Sequence, residues 1–235
     1  MHVKNGSPIT PLKSGQTPGA GTPDWELRAI VEQAIEARDR FERRRHGCEI
    51  WNRAENATGT VVEEYLRSRG ITMDIPTSIA FAMLRHPNGN IYPTMVAAVV
   101  DVNGKVAGVH RSFLQGNRKA DIQPNKLTLG LVKGNAVRLA PAAKTLNICE
   151  GIETGLAYQQ ATGRPTWTSL GTSNLAEIEL PIEVATVVIA ADGDAAGRAA
   201  AHKAAAAYMR QGRRVRIAFA PDGFDFNDVL LGKTS

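Results

Sequence analysis

The sequence is poor in cross-linking residues and in long apolar runs. Its 235 residues include only two cysteines, Cys48 and Cys149. This excludes a disulfide framework, and also a structural zinc site, because such a site usually takes four Cys or His ligands. No window approaches about 18 consecutive apolar residues, so no membrane span is predicted. The first 23 residues lack the apolar core of a secretory signal. We therefore expect a protein of the reducing cytoplasm.

The charged residues are unevenly placed along the chain. They make up 22% of the chain, against 43% hydrophobic residues, which is ordinary for a globular protein. Residues 1–140 carry 19 basic and 13 acidic side chains, whereas residues 141–235 carry 9 and 10. A basic first part suits a polyanion such as nucleic acid. A solvated surface rich in lysine and arginine is the simpler explanation of the charge taken alone.

The start of the chain is predicted to be a flexible arm followed by a helix. Residues 1–23 are rich in Gly, Pro, Ser and Thr and contain no aromatic or acidic residue, which is typical of a flexible arm. Asp24 can cap a helix from about Trp25 to Arg45, which we expect to end before Gly47. Apolar residues recur in it near helical spacing: Leu27, Ile30, Val31, Ala34, Ile35 and Phe41.

Residues 24–140 are predicted to contain this helix and a basic α+β subdomain. A short helix over Thr60–Arg69 is closed by Gly70. Strand-like runs over 95–102 and 105–114 flank Asn103-Gly104, a pair that predicts a β-hairpin because both residues accept positive φ. Basic residues on and after the hairpin could hold a nucleic-acid backbone, or could protect a sheet edge: His110, Arg111, Arg118, Lys119, Lys126, Lys133 and Arg138.

Residues 141–235 alternate strands and helices. Strands are predicted over 145–149, 166–169, 186–191 and 214–220, and helices over 152–160 and 195–210. This alternation indicates right-handed crossovers and a parallel sheet, in which ligands bind beyond the carboxyl ends of the strands.

Acidic residues follow three of these strands directly. Glu150 follows the first strand and Asp192-Gly193-Asp194 follows the buried third one. After the last strand come Asp222, Asp225 and Asp228. We expect these carboxylates to converge if the strands are neighbours, and their repulsion favours a bound Mg²⁺, with Mn²⁺ as second choice. Such an ion serves phosphoryl or nucleotidyl transfer. Taken singly, Asp194 could be only a helix N-cap, and Asp222-Gly223 only a turn.

The segment from Leu146 to about Leu231 resembles the Toprim domain of primases. The motifs that carry the resemblance are Glu150-Gly151, Ser169-Leu170-Gly171-Thr172, and Asp192-Gly193-Asp194 followed by Ala-Gly-Arg. The stretch 221–230, PDGFDFNDVL, resembles the tail of phage- and plasmid-type primases. Upstream, the segment from Trp51 through GVHRSF to 134–140 is similar to the subdomain that precedes Toprim in those proteins.

The resemblance implies an α/β fold, with a Toprim-like parallel sheet over 141–235 preceded by a smaller α+β subdomain. It implies a magnesium-dependent primase-type nucleotidyltransferase that makes primers on single-stranded DNA from nucleoside triphosphates. Glu150 would be the general acid/base and a metal ligand, together with Asp192 and Asp194. Asp225 and Asp228 match the late acidic pair that helps to hold metal or nucleotide. The basic residues expected at template and nucleotide are Arg111, Lys119, Lys126 and Arg138.

Several parts of larger primases are not visible in this sequence. Two cysteines cannot form the zinc ribbon that helps to read the template, and no GxxxxGK[ST] phosphate loop is present. Template recognition is therefore expected to come from a partner chain or from the basic first helix, with a replicative helicase as a further expected partner, in the replication of a phage or plasmid. The position at which many bacterial primases place a further acid is Thr154 here, beside Glu153. Two alternatives stay open: a Toprim-type metal-dependent nuclease, and a non-catalytic nucleic-acid-binding remnant.

Overall fold

The computed structural model of the chain describes residues 23–233. The arm expected at residues 1–23 lies outside this range except for Pro23. The chain divides into two compact units, with the boundary after Glu42. None of the helices within residues 23–233 is both long and apolar enough to cross a membrane.

The first helix, α1, spans Asp24–Arg53 and is longer than its sequence predicts. The expected end before Gly47 was wrong. Gly47 is buried inside the helix, and a Cβ built on it would lie 3.0 Å from Gly108 Cα. The missing side chain lets the helix backbone pack directly on a strand, so this glycine serves a close approach rather than a helix end.

The region between α1 and residue 140 is a largely antiparallel sheet with one short helix. Thr60 caps that helix, as predicted, by accepting a hydrogen bond from the Val62 N–H. The predicted hairpin is confirmed, but its turn is longer than Asn-Gly: the Asp101 carboxylate accepts hydrogen bonds from the N–H groups of Asn103 and Lys105. The elements are β1 (Glu55–Asn56), α2 (Val61–Ser68), β2 (Ile79–Arg85), β3 (Ile91–Val100), β4 (Val106–Gln115), β5 (Arg118–Lys119), β6 (Lys126–Gly130) and β7 (Ala136–Arg138).

The remainder of the chain alternates strands and helices, and its parallel sheet is confirmed. The elements are β8 (Thr145–Cys149), α3 (Ile152–Thr162), β9 (Thr166–Thr168), β10 (Thr186–Ala191), α4 (Ala195–Arg210), β11 (Arg214–Phe219) and α5 (Phe226–Leu230), with a 3-10 turn over Thr172–Asn174. β8 pairs in parallel with β9 and β10, and β10 with β11. The five-residue helix α5 was not predicted.

The antiparallel and parallel parts form one continuous sheet. Its order is β1-β2-β3-β7-β9-β8-β10-β11, with β4 pairing β3, β5 and β6, and the antiparallel pair β7–β9 joins the two parts. Neighbouring residues of β7 belong to different hydrophobic cores. Val137 packs with α2 and α3, and Ala136 packs with α4. The sheet is therefore covered by helices on both faces, which confirms the mixed α/β fold.

Candidate active site

Three adjacent parallel strands place acidic residues at one edge of the sheet. Cys149 at the end of β8 pairs with Ala190 of β10, and Ala191 pairs with Phe219 at the end of β11. Glu150 and Asp192 are the next residues along β8 and β10. The three strand ends are thus level with one another. The chain leaves this shared edge through the acidic residues that the sequence singled out.

Asp192 lies at the electrostatic centre of this edge. Its pKa is raised to about 7, first by burial and then by the negative charges of Asp225, Glu150, Asp194 and Asp228, in decreasing order. Its Oδ1 atom is buried and has no hydrogen-bond partner. The five predicted acidic residues therefore act on one another, and one of them presents a bare oxygen acceptor.

Glu150 shares this environment on one side and faces a cation on the other. Its pKa is raised by burial and by Asp194, and the positive charge of Lys126 acts in the opposite direction. A carboxyl group with a raised pKa is suited to exchanging protons near neutral pH.

The aspartates at the ends of β10 and β11 also hold the local backbone. Asp194 caps α4 by accepting a hydrogen bond of 2.6 Å from the Gly197 N–H. Asp225 and Asp228 form a reciprocal capping box at the start of α5. Asp228 is further paired with Lys233 at 2.9 Å, and this contact is the main cause of its lowered pKa. The N-cap alternative for Asp194 is thus realised in the structure, alongside its place at the acidic edge.

The acidic edge offers oxygen donors that suit a hard cation, but these donors are not arranged as a complete metal site. Carboxylate oxygens are the ligands that Mg²⁺ and Mn²⁺ prefer, and the bare Oδ1 of Asp192 is an available donor. However, no three Asp, Glu, His or Cys side chains within residues 23–233 are grouped closely enough to hold one metal ion. The residues present fit such an ion by chemistry and charge, and their side chains would have to draw together to bind it.

A cleft of about 280 Å³ lies beside Glu150, between the parallel strands and the antiparallel part of the sheet. On one side it is lined by Glu150, Gly151 and Glu153, and on the other by His110 of β4 and Lys126 of β6. His110 is buried, and its pKa is lowered to about 4, first by burial and also by the positive charges of Lys126, Lys119 and Arg111. The cleft therefore joins an acidic wall to a basic one, whose positive charge comes from Lys126 because His110 is neutral at pH 7.

Glu153 connects the two walls. Its buried carboxylate accepts a hydrogen bond of 2.6 Å from the Tyr65 hydroxyl and lies 2.9 Å from Lys119 Nζ. Burial alone would raise its pKa, but Lys119 and the Tyr65 hydrogen bond, with help from Lys126, lower it to about 2. Tyr65 was not foreseen, because 88 residues separate it from Glu153 and no spacing pattern shows such a contact.

The predicted basic residues are not all in the same place. Lys126 lines the cleft, Lys119 is bound to its Glu153 wall, and Arg111 is half-buried beside His110. Arg138 lies elsewhere: its guanidinium stacks 4.1 Å from the centre of the Trp167 ring and donates to the Asp101 carbonyl oxygen. The structure does not bring Arg138 to the acidic edge.

Arg69 is a residue near the site that the sequence gave no reason to select. Its positive charge contributes to lowering the pKa of Asp228 and opposes the rise in the pKa of Tyr65, and its buried Nε atom has no hydrogen-bond partner. In the sequence it is simply the last residue before the glycine that closes α2. Only the folded arrangement places it near the acidic edge.

Comparison with known proteins agrees with this architecture. Residues 145–235 match the Toprim domain family, and residues 42–139 match a domain of unknown function, DUF7146. The second part of the chain is therefore a Toprim domain, and the fold is that of primase catalytic cores. The resemblance drawn from the motifs is confirmed at this level. Among curated proteins, no sequence matches the chain.

Solved structures of similar fold include three primases. A DNA primase domain from Pseudomonas aeruginosa is 17% identical, with a TM-score of 0.56 over 82% of this chain and 75% of that one. The DnaG primase catalytic domain bound to ssDNA is 19% identical, with a TM-score of 0.55 over 85% and 79%. The Aquifex aeolicus primase, with zinc-binding and RNA polymerase domains, is 18% identical, with a TM-score of 0.53 over 88% and 64%.

Proposed function

We propose that the protein is a primase-type nucleotidyltransferase that joins nucleoside triphosphates into a primer on a single-stranded DNA template. The observation that carries the proposal is Asp192, with its bare buried oxygen among four other carboxylates, one of which, Glu150, lines a cleft whose far wall is basic. An acidic edge and a basic wall are together what a nucleotide needs: one side holds a cation for its phosphates, and the other holds the phosphates directly.

The acidic residues have separate roles in this proposal. Asp192 and Asp194, supported by Glu150, Asp225 and Asp228, would hold Mg²⁺, or Mn²⁺ in its place. When bound, the ion supplies positive charge to the triphosphate and to the attacking hydroxyl. Glu150 would take the proton from the primer 3′-hydroxyl, a role that fits its raised pKa.

The basic residues would bind phosphates. Lys126 lines the cleft beside Glu150 and would contact the incoming nucleotide, and Lys119 would do so from the position that Glu153 fixes. Arg111, half-buried beside His110, would contact the template backbone. Arg138 has no role at this cleft in the proposal.

The wider setting is part of the same proposal. One of the primase domains of similar fold has ssDNA bound, which supports single-stranded DNA as the template here. We place the reaction in the cytoplasm, in the replication of a phage or plasmid. A replicative helicase or a template-reading chain would be the partner.

A primer-synthesis assay tests the proposal. Purified protein, labelled nucleoside triphosphates and single-stranded DNA of several sequences are incubated with Mg²⁺ or Mn²⁺. Asp192→Asn should abolish product formation. Asp222→Asn should leave it intact, because Asp222 is exposed and paired with Arg198 outside the acidic set. Absence of product on every template, with or without a helicase partner, would refute the proposal.

The acidic edge also suits a metal-dependent nuclease, the second candidate function. Phosphodiester hydrolysis needs the carboxylates and their cation but not a nucleotide-binding basic wall. Incubation with labelled DNA or RNA without nucleotides separates the two functions. Shortened strands that disappear in Asp192→Asn would establish the nuclease. Intact strands in this incubation, together with primer product once nucleoside triphosphates are supplied, would establish the primase.

The absence of a closely grouped metal triad among residues 23–233 favours a third candidate, a non-catalytic nucleic-acid-binding protein. Isothermal titration with Mn²⁺ decides this point. Binding that is lost in Asp192→Asn would exclude the non-catalytic candidate. No binding, together with DNA affinity that falls steeply with salt, would establish it.

A further inference from the structure

The α1 helix presents an uncovered apolar stripe. The apolar residues that predicted the helix recur at helical spacing, yet residues 31–41 are all exposed. Exposure is 56% for Val31, 55% for Ile35 and 64% for Phe41. From Leu27 to Phe41 the stripe is about 21 Å long at 1.5 Å per residue. Scattered exposed apolar residues are normal, but an apolar stripe on one helix face, interrupted here by Arg38, is typical of helix–helix contact.

The charges along the same helix are separated into two opposite halves. Residues 24–36 contain four acidic residues and one arginine, a net charge of −3. Residues 37–45 contain five arginines and two acidic residues, a net charge of +3. The two halves cancel over the segment as a whole.

This charge distribution identifies the partner that fits the stripe. A nucleic acid or an anionic membrane would be attracted to one half and repelled by the other, with no net gain. A second copy in parallel orientation would place like charges side by side. A second copy in antiparallel orientation places each acidic half against a basic half and aligns the helix dipoles favourably. Ala34, at the centre of the stripe, is small enough for the two helices to come close there.

We propose that residues 24–45 pair with the same segment of a second copy of this chain, in antiparallel orientation, to form a homodimer. This inference is independent of the proposed function, because the segment includes none of the residues at the acidic edge or the cleft. A homodimer of this kind carries two Toprim domains.

Sedimentation equilibrium on the full-length chain tests the association. The expected mass is twice the 25.3 kDa of one chain, decreasing with dilution and with added salt. Ile35→Glu should weaken dimerisation at least about tenfold, because it places a charge in the apolar contact. Gln33→Glu, which adds the same charge on the other side of the helix, is the matched control. A monomeric wild-type chain, or equal effects of the two variants, would overturn the proposal.

Cysteine cross-linking tests the orientation. In the antiparallel dimer Ala34 meets its own counterpart, so Ala34→Cys should form a disulfide-linked dimer under mild oxidation. Leu27→Cys alone should not cross-link, but a mixture of Leu27→Cys with Phe41→Cys should. Wild-type protein controls for native Cys48 and Cys149. Efficient cross-linking of Leu27→Cys to itself would indicate parallel pairing and overturn the proposed orientation. Association only with an added DNA or a different protein would overturn the homodimer.

Discussion

At the residue scale, the charged form of Asp192 destabilises the protein, and its buried Oδ1 atom stays without a hydrogen-bond partner. Its pKa rises from 3.8 in the unfolded chain to about 7 in the fold, so the carboxyl group supports folding while it is protonated. That support is fully present below pH 4 and is lost as the pH rises to about 7. Above pH 7 the charged group opposes folding.

Asp192→Asn should therefore stabilise the metal-free protein at pH 8, by about 2 kcal/mol in the free energy of unfolding after allowance for partial exposure. The gain should vanish near pH 4, where both states bind the proton. Urea denaturation at several pH values, in the presence of EDTA, measures this. Mg²⁺ should raise the stability of the wild type but not of the variant. Equal stability of the two proteins at pH 8 would contradict the electrostatic picture of this edge.

Glu153 has the opposite pH dependence. Its pKa falls from 4.5 to about 2 on folding, so its contribution to stability is present above pH 4.5 and is lost as the pH falls towards 2. Glu153→Gln should cost about 3 kcal/mol at pH 7, because Lys119 loses its buried partner. Glu63→Gln, which keeps an acceptor for the Gly59 N–H but removes an exposed i,i+4 ion pair with Arg67, should cost far less. Similar losses from both variants would show that the buried Lys119–Glu153 pair stabilises the fold no more than an exposed ion pair does.

Residue positions were predictable where a strand end fixes them, and unpredictable where a distant contact does. Glu150 and Asp192 follow strands whose apolar runs are readable, so their shared edge follows from the parallel sheet. The Tyr65–Glu153 contact and the placement of Arg138 on Trp167 depend on packing between segments far apart in sequence. Side-chain direction and burial, which the sequence does not display, decide both.

At the scale of secondary-structure elements, Gly193 allows the ends of β10 and β11 to meet. A Cβ at Gly193 would lie 1.8 Å from the Pro221 carbonyl oxygen, and the Gly193 N–H donates to the Phe224 carbonyl oxygen at 2.8 Å. Gly151, the other glycine beside an acidic residue, is different. The nearest atom to its Cβ would be 3.5 Å away, and its φ of −95° suits any residue.

Gly193→Ala should therefore destabilise the protein by at least about 3 kcal/mol, because two backbone segments would have to separate. Gly151→Ala should remain within about 1 kcal/mol of wild type. Thermal unfolding of the two variants provides the measurement. Manganese binding should weaken only in Gly193→Ala, since Asp192 and Asp194 flank that glycine. A destabilised Gly151→Ala alongside a stable Gly193→Ala would reverse this assignment.

Elements were predictable where apolar periodicity and helix caps agree. The bounds of β8, β10 and α4 are those that the sequence predicts, because continuous apolar runs and an alanine-rich segment after Asp194 leave little choice. The end of α1 was not predictable, since a glycine packed on another backbone is indistinguishable in sequence from a glycine that closes a helix. The apolar periodicity of α1 likewise predicted the helix but not the exposure of its stripe.

At the scale of the whole molecule, the continuous sheet joins the two segments of the chain that match different family models. Backbone hydrogen bonds between β7 and β9 join the region matched by DUF7146 to the Toprim domain. We expect residues 43–233 to unfold in one cooperative transition.

Single-tryptophan variants can test this cooperativity. A chain that retains only Trp51 reports on the first region, and one that retains only Trp167 reports on the Toprim domain. In each variant, the urea midpoint measured by tryptophan fluorescence should equal the midpoint measured by far-UV circular dichroism on the same protein. Two separated midpoints would show that the regions unfold independently.

The basic wall of the cleft should govern DNA affinity. Lys126→Gln should weaken binding to single-stranded DNA and reduce the slope of log affinity against log salt by about 0.7, the value for one phosphate contact. Lys203→Gln on the exposed side of α4 removes the same charge and should change neither quantity. Fluorescence anisotropy over a salt series measures both. Equal effects of the two variants would mean that the general charge of the molecule, and not the cleft, attracts the DNA.

The closest contact between α1 and the strands is made by main-chain atoms: Gly47 of the helix packs against Gly108, which in turn packs against Gly130. A Cβ at Gly108 would lie 2.4 Å from the Leu129 carbonyl oxygen, and one at Gly130 would lie 2.5 Å from Gly108 Cα. A side chain added at one of these glycines would meet backbone atoms, and no substitution at the other two positions can remove those atoms. A chimera that exchanges the helix or the hairpin with a relative must therefore inherit all three glycines together.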